Sequence, residues 1–166
     1  MFENLQKKST LYLETSIVSY LTSRISRDVV ILAHQEITQR WWNDSLSKFD
    51  VYISQLTLEE SGRGDKEAAK QRLEALADFP GLTITLEVES LAAVYMKEIG
   101  MPPKAMRDAI HIAVASVHGM DYLLSWNCKH IANGYIRRRI REINMREGFI
   151  TPTICTPEEL LDEDRY

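Results

Sequence analysis

Residues 107–131 read RDAIHIAVASVHGMDYLLSWNCKHI, and this stretch decides the fold. Asp108 opens a strongly apolar run through Ala109, Ile110, Ile112, Ala113, Val114, Ala115 and Val117. A helix that is apolar on nearly every face belongs inside a domain. His118-Gly119 ends it, since glycine suits the left-handed turn that follows a helix. Tyr122-Leu123-Leu124 then reads as a short buried strand that stops at Ser125-Trp126-Asn127. A buried helix led by an acid, feeding a strand that ends in oxygen-bearing residues, is an arrangement for holding charge.

Working outward, Thr10-Leu11-Tyr12-Leu13 is a first strand followed at once by Glu14-Thr15-Ser16, where Thr15 or Ser16 suits a helix cap. Ser26-Arg27-Asp28 opens a helix carrying Val30, Ala33, Ile37 and Trp41 at helical spacing. Trp41-Trp42 read as core and surface anchors rather than chemistry. Val51-Tyr52-Ile53 is a second strand, with a helix expected from Thr57 through Glu60. Asp65 starts a helix through Leu76, Leu82-Thr83-Ile84 is a third strand, and an amphipathic helix runs from Glu87 to Ile99. After the central stretch come a basic helix from Tyr135 to Glu147, a last strand at Thr153-Ile154, and a capping box in Thr156-Pro157-Glu158-Glu159. Strands alternating with helices predict an α/β three-layer sandwich around a mainly parallel central sheet. At 166 residues, with no linker-like tract or repeat, residues 1–166 read as one domain.

Composition narrows the classes. The chain is 45% hydrophobic and 27% charged, as in an ordinary globule. No apolar run approaches the roughly 20 residues of a membrane helix, so no membrane partner is expected. MFENLQKKST lacks the apolar core of a secretory signal, and Cys128 and Cys155 have no framework spacing; both fit a cytoplasmic location. A net charge of −4 argues against nonspecific coating of nucleic acid. No glycine-rich phosphate loop, nucleophile elbow or dinucleotide fingerprint occurs.

Ligands collect at the carboxyl ends of parallel strands. Glu14 falls there after the first strand, Glu60 on the helix after the second, and Asn127 after the Tyr122 strand. A crossover brings Asp108, at a helix start, to the same edge. Crowded carboxylates take up protons or gather a cation. Oxygen donors without His or Cys suit Mg²⁺ or Mn²⁺, ions that activate water and neutralise the charge of a reacting phosphodiester. Each residue also has an ordinary reading: Glu14 at a helix start, Glu60 in a capping box with Thr57, Asp108 against the helix dipole, Asn127 in a turn. Glu59 competes with Glu60, but the two lie about 100° apart on a helix, so only one faces the site.

The segments LYLETSIVSYL, ISQLTLEES, MRDAIHIAVASVHGMDYLLSWNCKHI and TPEEL resemble the PIN-domain family, including VapC-like toxins. The third segment is the most specific, because the family joins an acid-led apolar helix to a strand ending in Ser/Thr-x-Asp/Asn. The resemblance implies a PIN-like fold and divalent-metal-dependent cleavage of RNA, with Glu14, Glu60, Asp108 and Asn127 as the catalytic and metal-holding set. It also implies a homodimer and an antitoxin protein as partners. Ser16 and Ser125 match the family's hydroxyl positions and are expected to position phosphate. Two positions depart from the pattern: Glu14 stands where Asp is common, and Asn127 removes a charge, which opens the alternative of a catalytically weakened module that binds RNA or a protein.

Among the remaining features, Lys104 and Arg107 flank Asp108 and suit phosphate contact. Arg137, Arg138, Arg139, Arg141 and Arg146 read as an RNA track or as a solvated helix face, the second being the commoner use of such a run. His111 reads as a hydrogen-bonded core histidine, and His118, Cys128 and His130 match no standard zinc spacing.

Overall fold

The computed structural model describes residues 7–161. The reading of the N-terminus as lacking a signal rests partly on residues 1–6, which lie outside the described residues. A five-stranded sheet forms the centre, with strand order β3-β2-β1-β4-β5. Its strands are β1 (Ser9–Leu13), β2 (Phe49–Ser54), β3 (Gly81–Leu82), β4 (Tyr122–Leu124) and β5 (Thr153–Cys155). Every pairing is parallel, so the expected mainly parallel sheet is parallel throughout. Leu11 faces Val51 in one register and Tyr122 in the other, which makes β1 the middle strand.

The helices are α1 (Thr15–Thr22), α2 (Val29–Asp44), α3 (Gln55–Ser61), α4 (Lys66–Leu76), α5 (Leu86–Ile99), α6 (Met106–Val117) and α7 (Gly134–Glu147). They cover the sheet as two cores, the outer layers of the expected sandwich. One core packs Tyr12 and Leu123 under Val88, Leu91, Tyr95, Ile112 and Ile140; the other packs Leu11, Leu13 and Leu124 under Ile17, Trp41 and Leu76. Alternation along β1 explains the split, because successive side chains leave a strand on opposite faces. Among the described residues, no helix is long and apolar enough to cross a membrane.

The central stretch folds as the sequence requires. Residues 111–116 of α6 are all buried, and Gly119 takes φ 64°, the left-handed turn that lets the chain reverse into β4. Trp41 is fully buried and Trp42 packs partly exposed beside it. Two helix starts differ from expectation. Glu14, not Thr15 or Ser16, caps α1, its carboxylate accepting the Ser16 amide. Helix α3 begins at Gln55 with Ser54 as its cap and Thr57 closing the capping box, so Glu60 sits in the last turn rather than the first.

Candidate functional site

Parallel pairing carries the strand ends to one edge. The Glu14 amide donates to the Leu124 carbonyl at 3.1 Å and the Ser125 amide to the Cys155 carbonyl at 3.0 Å, so Glu14 and Ser125 stand side by side where the sheet runs out. Glu14 is 6% exposed. Its Oε2 accepts from the Ser16 amide at 3.1 Å, the Ser16 hydroxyl, and the Ser125 hydroxyl at 2.8 Å. Ser16 Oγ in turn accepts the Trp126 amide at 2.8 Å, tying α1 to the end of β4.

Glu60 arrives from α3. Its Oε1 accepts from the Thr15 hydroxyl at 3.0 Å and pairs with His111 Nε2 at 2.6 Å. Glu59 points away to solvent, where it accepts from the Gln55 side chain at 3.1 Å. Asp108 lies in the first turn of α6, and its Oδ2 pairs with His130 Nδ1 at 2.8 Å. Asn127 Oδ1 accepts the His130 amide at 3.0 Å, and the Asn127 amide donates to Ser125 Oγ at 2.9 Å. Contacts therefore run from Asp108 through His130, Asn127 and Ser125 to Glu14, then through Thr15 to Glu60, and by His111 back to α6. The expected residues lie on one ring of links, made partly by hydrogen bonds and partly by the chain itself, between Glu14 and Thr15 and between His111 and Asp108 along α6.

The ring treats its acids alike. Among the described residues, each carboxylate has all its protein hydrogen bonds on one oxygen, leaving Glu14 Oε1, Glu60 Oε2 and Asp108 Oδ1 without one. In this arrangement no group of three or more His, Cys, Asp or Glu side chains among the described residues is placed to hold a metal ion. Carboxylate oxygens are the donors a hard divalent cation takes, and each of the three acids keeps one oxygen without a protein partner, but in this arrangement they do not form one such group. Asn127 differs, because its side-chain oxygen closes the turn that begins at that residue. The protons of Ser16 and Ser125 go to Glu14, so these hydroxyls anchor an acid here rather than await a phosphate. His118 bonds the Thr83 carbonyl, His130 bonds Asp108 and Cys128 is exposed, so these three form no zinc set.

Electrostatics separate the basic residues. Lys104 is exposed, whereas Arg107 is half-buried with a buried Nη1 that has no hydrogen-bond partner. Burial acts to raise the Glu60 carboxyl, but bonding from His111 and Thr15 and the charge of Arg107 outweigh it, and the net direction is down. A carboxyl depressed in the folded state stabilises the fold fully above the unfolded value, about 4.3, and loses that contribution as pH falls through the folded value. The stability difference between wild type and Glu60→Gln is therefore expected to narrow between pH 7 and acid, as read by urea unfolding; a gap independent of pH would contradict this account. On α7, Arg137 pairs with Glu159, Arg138 and Arg139 with Glu142, and Arg146 with Glu98 and Glu147. These pairs fit the solvated-face reading; Arg141 is exposed and takes part in none of them. A cavity of about 320 Å³ beside β5, lined by Arg137, Arg141, Thr153 and Glu159, contains none of the four acidic-edge residues.

The sequence did not signal Tyr12, Thr15 or His130 as parts of the site. Tyr12 had one usable cue, a phenol on a buried strand, which must find a polar partner. No family model matches the chain, and no curated protein matches it.

Proposed function

We propose that the protein is a divalent-metal-dependent ribonuclease of the PIN-domain type, hydrolysing RNA phosphodiester bonds as the toxin of a toxin–antitoxin pair. The observation that carries the reading is the trio of acids linked around the carboxyl edge of a parallel sheet, each hydrogen-bonded to the protein through one oxygen only. Glu14, Glu60 and Asp108 would hold Mg²⁺ or Mn²⁺ through the oxygens that have no protein hydrogen bond. When bound, the ion supplies an activated water and charge neutralisation at the phosphorus. Ser16 and Ser125 fix Glu14, His111 and Thr15 fix Glu60, and His130 fixes Asp108. Arg107, with its unpartnered buried nitrogen beside Glu60, is the group best placed to receive a phosphate oxygen. Asn127 shapes the turn that carries His130, and Lys104 contributes charge from the exposed side.

Incubation of the protein with RNA in Mg²⁺ or Mn²⁺, with and without chelator, tests the proposal. Cleavage that needs the added ion supports it; cleavage indifferent to chelator, or none with any RNA, defeats it. A second reading, a module that keeps the fold to bind RNA or a protein partner, is favoured by the hydrogen bond that occupies Asn127 Oδ1. RNA bound without scission in the presence of Mn²⁺ would select it. The homodimer and cytoplasmic location belong to the same proposal, with sedimentation and cell fractionation as their measurements.

A further inference from the structure

Beneath Glu60 lies a run of fully buried polar groups. Tyr12 from β1, Ser54 at the end of β2, Thr57 from α3 and His111 from α6 are all 0% exposed. The Tyr12 hydroxyl is 2.7 Å from Ser54 Oγ, 3.2 Å from Thr57 Oγ1 and 2.7 Å from His111 Nδ1. The far side of the same imidazole meets Glu60 Oε1 at 2.6 Å. Ser54 and Thr57 cap α3, but a buried Tyr12–His111 pair gains little stability over well-packed apolar residues of the same size, so these two call for another reason.

We infer that His111 is a positioning residue for Glu60, and that the Tyr12 hydroxyl holds the imidazole in the orientation that presents Nε2–H to the carboxylate. The inference rests on the proposed function, in which Glu60 faces the metal. With Glu60 ionised, the proton of the short bond is carried by Nε2. That donor engages Oε1, which fixes the carboxylate plane and leaves Oε2 as the outward oxygen. Tyr12 supplies the lock: Ser54 and Thr57 hold its buried hydroxyl against Nδ1. The imidazole therefore cannot turn without breaking a contact at each end. Thr15, next to Glu14, adds the second donor to Oε1, so the two acids are set relative to each other.

The test is Mn²⁺ affinity of the full chain, read by electron paramagnetic resonance in parallel with thermal unfolding. His111→Ala is expected to weaken Mn²⁺ binding by about 10–100-fold, the usual cost of removing a group that orients a ligand. Tyr12→Phe, which keeps the ring in the core, is expected to weaken it several-fold. In a Glu60→Gln background His111→Ala should add nothing, because it acts through that carboxylate. A folded His111→Ala protein that binds Mn²⁺ like wild type overturns the inference, as does an undiminished loss in the Glu60→Gln background. Nitrogen-15 shifts of His111 give a metal-free readout: a protonated Nε2 that exchanges slowly is expected, and an unprotonated one overturns the assignment. If Mn²⁺ affinity falls as expected while RNA is never cut, the nuclease reading fails and the positioning role stands.

Discussion

Replacing Glu14 by alanine is expected to lower unfolding stability by about 2–3 kcal/mol, while replacing it by glutamine leaves stability unchanged or raises it by up to about 1 kcal/mol. The first effect follows from donors. Ser16 contributes an amide and a hydroxyl and Ser125 a hydroxyl to one oxygen, and alanine strands all of them at a nearly buried position. Each stranded buried donor costs about 1–3 kcal/mol, less what water entering the new space recovers. Glutamine keeps an accepting oxygen in the same place. It also removes a negative charge that has no ion-pair partner among the described residues, and a buried charge held only by neutral donors is destabilising. The fold therefore needs the oxygen and not the charge. If the charge is retained for cation binding, Glu14→Gln should abolish Mn²⁺-dependent activity in a protein at least as stable as wild type. Urea midpoints and RNA cleavage measured on the same preparations decide it, and a glutamine variant that is active, or one that unfolds far more easily, refutes the argument.

The second large effect concerns Asp108. Asp108→Asn is expected to reduce RNA cleavage by on the order of 100-fold or more, since a catalytic metal contributes several kcal/mol to the reaction and each 1.4 kcal/mol or so is a factor of ten. Its expected effect on stability is small. The carboxylate gains about 0.3–1 kcal/mol from the first turn of α6 and a part-exposed pairing with His130. Asparagine keeps the shape and an oxygen acceptor, so α6 remains packed by its apolar faces. An Asp108→Asn variant cleaving RNA within a few-fold of wild type would remove Asp108 from the chemistry and the proposed function with it.

Local chemistry made the layout legible: the span of β4, the Asp28 and Asp65 caps, the terminal capping box and the glycine after α6 all follow from neighbours in sequence. That Glu14 and Ser125 stand at neighbouring strand ends was readable too, because strand ends in a parallel sheet meet by topology; no group of three acids able to hold a metal ion forms among the described residues. The cap of α1 is Glu14, as its reading at a helix start has it, and not Thr15 or Ser16; its carboxylate is held by hydroxyls that include one 111 residues away. The start of α3 was misread because Thr57 looks like a cap in sequence, whereas Ser54 takes that place at the strand end. The links of Glu60 to His111 and of Tyr12 to His111 span 51 and 99 residues. No periodicity encodes such partners; only the closed sheet brings them together.

The place of β1 between β2 and β4 also sets a timetable. Its partners on one side lie near residue 50, and those on the other are not made until residues 122–124 have been synthesised. Non-local pairings form late, and a growing chain cannot make them until the later segment has emerged. A ribosome-bound chain stopped short of Tyr122 would thus carry Glu14 on an unfinished strand, with exchange of the Glu14 amide unprotected for want of the Leu124 carbonyl. Whatever chemistry the acids perform waits on residues 122–124.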